Sequence, residues 1–261
     1  MIIVKMVGGL GNTMFQYALF RRFLQDGKET YYDSLQDKEH NGFELSKVFN
    51  IFEKPIESLD EIKDLKVVRE TTYPRFNQDI LNNDNGYIEG NWQNIKYFPD
   101  SNILRNDFKF KQDLSEKNKE ILKDIKESNS ISIHVRRTDY VKLAWYLFQA
   151  NWMNYYGVAV NYVVKNTKER PIKFFVFSDD IEWCKKNFMI SATFLETPKT
   201  KAWQDMYLMS QCKHNITTNS TFSWWAAWLN ENENKIVTTP KKWFLDKTDS
   251  NYITCDEWIK I

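Results

Sequence analysis

The sequence predicts an α/β protein of two facing halves, each built on a parallel sheet. Three observations predict it. The chain opens on a strand, a glycine turn, a helix and a second strand, the start of a βαβ unit. Past residue 130, short apolar strands alternate with helices, the pattern of a parallel sheet covered on both faces. At about 150 residues per domain, 261 residues suit one large domain or two small ones.

Taken in order, residues 2–7 form the first strand, broken only by Lys5. Gly8-Gly9-Leu10-Gly11 turns the chain, and Asn12 or Thr13 caps a helix. Its apolar positions are Met14, Phe15, Ala18, Leu19 and Phe23, and it ends near Gly27. A strand follows at 30–32. Short helices are expected at 43–49 and 59–65, and a strand at 67–68, with Pro55, Pro74 and Pro99 in loops. A charged amphipathic helix at 114–128 precedes strands at 131–135, 172–177, 193–195, 215–217 and 236–238. Helices at 152–164, 181–186, 203–211 and 222–229 lie between or after them. The expected domains are 1–128 and 129–261.

Composition excludes several classes. Lys+Arg is 36 against Asp+Glu 35, so no general positive field exists to attract nucleic acid. An anion would be held by a local site. Cys184, Cys212 and Cys255 are odd in number and widely spaced, which argues against a disulfide framework or structural zinc. The histidines are His40, His134 and His214, with no H-E-x-x-H. No run reaches the roughly 18 apolar residues of a membrane span. The N-terminus reads as a strand rather than a signal peptide, so the expected location is the cytoplasm, with contact at the inner membrane face left open. Aromatics make up 16%. They serve an apolar core and equally serve as sugar platforms.

Ligands of open parallel sheets bind at the carboxyl ends of strands. Four such loops hold unusual residues. Gly8 to Asn12 allows close backbone approach at a helix start, yet matches neither a dinucleotide fingerprint nor a P-loop. A tight turn without ligand is the other reading. His134-Val135-Arg136-Arg137-Thr138-Asp139 places His134 and Arg136 on one strand face. Arginine forks match phosphate oxygens, whereas an internal Arg–Asp salt bridge beside a core histidine is the alternative. Ser178, Asp179 and Asp180 end the next strand, where Ser178 or Asp179 caps a helix or a carboxylate grips a nucleotide hydroxyl or base N–H. Asn219-Ser220-Thr221-Phe222-Ser223 offers hydroxyls at a helix start, a phosphate cradle or an elaborate N-cap. Trp224, Trp225 and Trp228 suit the core, with one free to serve as a sugar platform. No Asp-x-Asp occurs, so no metal is expected on a diphosphate and arginines would neutralise it.

These segments resemble the bacterial α-1,2-fucosyltransferases of glycosyltransferase family 11. The resemblance rests on five blocks in order: Gly8-Gly9-Leu10-Gly11-Asn12 with Met14-Phe15-Gln16-Tyr17-Ala18; Gly90-Asn91-Trp92-Gln93 with Lys96-Tyr97-Phe98; His134-x-Arg136-Arg137-x-Asp139-Tyr140; Phe177-Ser178-Asp179-Asp180; and Asn219 to Trp225 with Ala227-Trp228-Leu229-Asn230. The third block is also similar to α-1,6- and protein O-fucosyltransferases. Thr138, where the family usually has Gly, and Ala226, in place of another common Gly, depart from the pattern. So do Ile253-Thr254-Cys255, which lack a Pro, and a short middle region.

The resemblance implies a GT-B-like fold of two facing Rossmann-like domains. The first would lie on the acceptor side and the second would bind the donor. It implies inverting, metal-independent transfer from GDP-β-L-fucose to a sugar hydroxyl, usually the 2-OH of a galactoside, with no cofactor. The acceptor would be an oligosaccharide or glycolipid of the bacterial surface. Carried over by position, Arg136 would hold the β-phosphate, and Asp139 is the nominee for general base. Asn12 would approach the diphosphate or acceptor from the first half. Gly9, Gly11, His134, Arg137, Ser178, Asp179, Asp180, Asn219, Ser220, Thr221, Phe222 and Ser223 would line the donor site. Trp92, Gln93 and Tyr140 would meet the acceptor. The rivals are a transferase using another GDP-sugar, a carbohydrate-binding protein and a nucleotide-binding regulator.

Overall fold

The computed structural model describes residues 1–36, 42–142, 152–246 and 248–261, so His40 lies outside the described residues. It divides into two compact units, Met1–Gln112 and Asp113–Ile261.

The first unit contains β1 (Ile2–Lys5), α1 (Leu10–Gln25), β2 (Thr30–Asp33), α2 (Leu45–Val48), β3 (Val67–Arg69), α3 (Gln78–Leu81), β4 (Gly86–Glu89) and α4 (Ser101–Asp107). Its sheet runs β2-β1-β4-β3, all parallel. The chain leaves β1 for β2 on one side and fills the other side with β3 and β4. The order therefore reverses between β1 and β4. Helix α1 buries most of its circumference, from Leu10 to Phe23. Its polar Tyr17 survives burial by donating to Asp107 (2.7 Å) and accepting from the Phe52 N–H (2.8 Å).

Two expectations change here. Helix α1 starts at Leu10, not after a cap at Asn12 or Thr13; its N-cap is Gly9, with no side-chain cap. Gly8, at φ +103°, makes the left-handed turn before it. The helix expected at 59–65 is a single 3₁₀ turn, Leu59–Glu61, held by a capping box from Ser58 and Glu61.

The second unit contains α5 (Glu116–Lys126), β5 (Asn129–Val135), α6 (Thr138–Lys142), α7 (Trp152–Asn166), β6 (Ile172–Ser178), α8 (Ile181–Asn187), β7 (Ala192–Leu195), α9 (Trp203–Gln211), β8 (His214–Ile216), α10 (Thr221–Leu229), β9 (Val237–Thr239) and β10 (Ile259–Lys260). The sheet order is β10-β9-β8-β5-β6-β7, again all parallel. Its switch point lies between β5 and β8. Ile131, Ile133, Val135, Val176 and Ile216 of the sheet pack with Tyr156, Ala159 and Val163 of α7. Trp224 and Trp225 are fully buried. The indole N–H of Trp224 donates to the Ile253 carbonyl (2.8 Å).

Helix α5 belongs to this second unit, so the division falls at Gln112/Asp113 rather than at 128/129. Its contacts explain why. Ile125 is fully buried, and the Ser115 N–H and the Asn118 amide both donate to Gln204 Oε1 at the start of α9 (3.2 and 2.7 Å). Its apolar face needs a partner, and α9 supplies it.

Candidate functional site

Strand β5 is buried along its whole length and delivers Arg136 to its carboxyl end. The guanidinium makes a two-pronged contact with Asp139: Nε lies 2.9 Å from Oδ1, and Nη2 donates to Oδ2 at 3.0 Å. Nη1 meets Asp179 Oδ2 at 3.2 Å. Burial draws Arg136 down, but the Asp139 hydrogen bond and the charges of Asp179 and Asp139 outweigh it and hold the proton tighter than usual. Burial draws Asp139 up, but the hydrogen bond and charge of Arg136 hold its carboxyl below the ordinary value. Asp139 therefore serves Arg136, not Arg137.

Arg137 is held elsewhere. Its Nε donates to Asp180 Oδ2 (3.0 Å), and its guanidinium lies 3.9 Å from the Trp183 ring centroid, a cation–π distance. Asp179 takes the backbone N–H groups of Arg137 (2.8 Å) and Thr138 (3.2 Å) and the Thr138 hydroxyl (2.6 Å). It fixes the turn from β5 into α6. The cap of α8 is Asp180, whose Oδ1 accepts from the Trp183 N–H (3.2 Å), rather than Ser178 or Asp179. Ser178 Oγ accepts from the Asp180 N–H (3.0 Å). The internal Arg–Asp network that the sequence left open is thus present. Two guanidinium charges face three carboxylates.

The third wall is the start of α10. Ser220 is its N-cap and accepts from the Phe222 N–H (3.4 Å); Thr221 is its first residue. Ser223 Oγ donates to the Ser220 carbonyl and accepts from the Thr218 N–H, both at 3.3 Å. The Asn219 amide donates to the Trp243 carbonyl (2.8 Å). Tyr140 reaches across from α6 and donates to the Asn219 carbonyl (2.8 Å), with burial pushing its phenol up to about 12. His134 stacks at 5.6 Å from Phe222. Burial pushes its imidazole down to about 3, against the pull of Asp179 and together with the Arg136 charge, so it is neutral at physiological pH. Its Nδ1 is buried with no partner among the described residues. Arg136, His134, Ser178 to Asp180 and Asn219 to Ser223 therefore gather at the ends of β5, β6 and β8, around the switch point.

The first unit repeats this placement at its own switch point. Asn12 Oδ1 accepts from Gln93 Nε2 (3.2 Å), and Gln93 Oε1 accepts from the Tyr73 hydroxyl (2.7 Å). Gly9 and Gly11 form the cap and first turn of α1 beneath them. Trp92 overturns its expected role. It is fully buried, so it presents no face to a sugar. Its backbone is left-handed at φ 56°, and its N–H and that of Asn91 donate to Glu70 Oε2 (3.1 and 2.7 Å).

Sequence reading missed Glu70, Tyr73, Trp183, Tyr155 and Tyr156. Trp183 and Tyr73 each carry a signal only in space, a ring beneath Arg137 and a hydroxyl against Gln93. Among the described residues no three His, Cys, Asp or Glu side chains gather as a metal would require. No helix among them is long and apolar enough to cross a membrane.

Comparison with known proteins identifies the family. The profile of glycosyl transferase family 11 matches residues 1–261. The O-antigen biosynthesis glycosyltransferase WbnK of Escherichia coli is 30% identical over 97% of this chain and 98% of its own. An α-1,2-colitosyltransferase of the same species is 31% identical over 100% and 98%. Human galactoside α-(1,2)-fucosyltransferase 1 matches at 30% over 50% of this chain and 38% of its own. In fold, the chain is similar to the fucosyltransferase NodZ from Bradyrhizobium, a GT-B structure, with a TM-score of 0.51 and 15% identity over 87% and 91%. With the family profile spanning every residue and two parallel-sheet units carrying its motifs at their switch points, the chain belongs to glycosyl transferase family 11.

Proposed function

We propose that this glycosyltransferase moves L-fucose from GDP-β-L-fucose to the 2-OH of a galactoside, with inversion and without a metal ion. The observation that carries the reading is Arg136, oriented by Asp139 and Asp179, at the switch point beside the start of α10. A diphosphate there meets a fixed guanidinium on one side and the N–H groups of a helix start on the other. Such preorganised donors act on the charge that grows as the GDP leaves, commonly the largest catalytic effect. Neutral His134 adds no charge at working pH. Asn12 and Gln93 supply a hydrogen-bonded amide pair suited to sugar hydroxyls, consistent with an acceptor role. The acceptor oxygen bonds to C1 as the C1–O bond to GDP breaks, GDP leaves with the bonding electron pair, and the acceptor proton passes to solvent.

A second reading has a specific observation in its favour. The relative named a colitosyltransferase matches the whole chain, whereas the human fucosyltransferase matches half. GDP release with a panel of GDP-sugars and simple galactosides, in EDTA, separates the two. Release from GDP-fucose that rises with a galactoside supports the proposal and its metal independence together. Turnover only with a colitosyl donor replaces fucose with colitose. Loss of turnover in EDTA, restored by a divalent ion, overturns the metal-free mechanism.

A further inference from the structure

The two strands that flank the second unit's switch point part after their last registered pair, Ile133↔Ile216. One residue further, β8 is still bonded to β9, where the Thr217 N–H donates to the Thr238 carbonyl (2.9 Å) as the Asn215 N–H does to that of Ile236 (3.0 Å). The carbonyls of His134 and Thr217 belong to the residues just past this pair, where the fork begins. Both are taken by consecutive residues of one helix. Tyr156 donates to His134 O (2.8 Å), and Tyr155 donates to Thr217 O (2.6 Å).

We propose that Tyr155 and Tyr156 are positioning residues that set the opening between β5 and β8, and with it the distance between Arg136 and the start of α10. The inference rests on the reading of this crevice as the donor diphosphate site. Each link follows from the chemistry. The two rings pack edge to face with centroids 5.1 Å apart, which holds the hydroxyls in a fixed relation. Tyr156 is 1% exposed, and its ring packs against Phe188 and Tyr155, so the phenol cannot swing away. His134 carries the clamped carbonyl of β5, and Arg136 lies two residues beyond it. Asn219 and Ser220 follow directly on the clamped β8 backbone. Moving either arm moves one wall of the crevice relative to the other. A buried carbonyl left without a donor is costly, so losing the phenol favours rearrangement of the strand that carries that carbonyl.

The test replaces both phenols with phenyl rings, Tyr155→Phe and Tyr156→Phe, which keeps the packing and deletes the hydroxyls. GDP binding is measured by titration calorimetry, with acceptor KM at saturating donor alongside. Val163→Ala is the control, a fully buried position on the same helix away from the fork. The expected result is a rise of about tenfold or more in the GDP dissociation constant in the double variant. Its acceptor KM stays within about twofold of wild type. Val163→Ala, at a comparable loss in melting temperature, keeps wild-type GDP affinity. Equal loss of GDP affinity in the control, or unchanged affinity in the double variant, overturns the clamp and leaves the donor reading standing. A wild-type protein that binds no GDP overturns the donor reading, and the clamp's role falls with it.

Discussion

Arg136 makes one contact with each of three carboxylate oxygens, and that geometry decides how its variants behave. Arg136→Ala removes the positive charge nearest the proposed diphosphate and leaves Asp139 and Asp179 facing each other. We expect turnover to fall at least about 100-fold, the loss typical of one key electrostatic donor. Near-normal turnover would remove Arg136 from the mechanism. Asp139 is more constrained than a free base would be. Both of its oxygens face Arg136, and the charge of Arg136 lowers its proton affinity. A general base needs the opposite tuning. Asp139→Asn should therefore weaken GDP binding and lower donor hydrolysis and sugar transfer together. Transfer lost while hydrolysis survives would restore Asp139 as the base.

Among the elements, the turn after β4 is tightly specified. A Cβ on Gly90 would lie 2.6 Å from Glu70 Cβ and 2.7 Å from the Trp92 ring. Neither neighbour can retreat. Glu70 is anchored by two backbone N–H groups, and Trp92 is buried in a left-handed conformation. Gly90→Ala should destabilise by roughly 1–3 kcal/mol, the usual range for overpacking. It should also shift Gln93 off Asn12. Thermal unfolding and acceptor KM check the two effects; an unchanged melting temperature would mean the turn relaxes freely. The element boundaries teach a related lesson. Helix α5 reads in sequence as the end of the first half, yet its buried face is matched to α9.

At the scale of the whole molecule, overall charge is near zero, so any anion is recognised by local geometry. One buried acid couples stability to pH. Burial pushes the Asp205 carboxyl up to about 7, while the hydrogen bond from the Thr197 hydroxyl (2.5 Å) pulls the other way. The folded value lies above the unfolded one, near 3.8. The folded state thus binds the proton more tightly in between, and this stability is lost as pH rises through about 7. Asp205→Asn removes the titration. Melting curves from about pH 5 to about pH 8.5 should show the wild type losing ground to the variant with rising pH. Parallel curves would show that Asp205 ionises freely in the fold.

The sequence by itself determined the fold class, most strands of the second unit and the family, because these are written in local pattern. Period-two and period-3.6 apolar spacing, glycine turns and ordered motifs need no distant partner to be read. It also placed Arg136, Asp139, Asp179 and Asn219 at strand ends. Tertiary structure decided the rest. Strand β4 is only Gly86–Glu89, too short for a period, and exists because β1 and β3 pair with it on both sides. Trp92 looked like a sugar platform until its burial was visible. Whether Asp139 met Arg136 or Arg137, whether Asp180 or Asp179 capped α8, and which helix bolted the fork were all choices among residues already named or overlooked. Each depends on side-chain directions and on contacts between residues far apart in the chain, which local propensity does not encode.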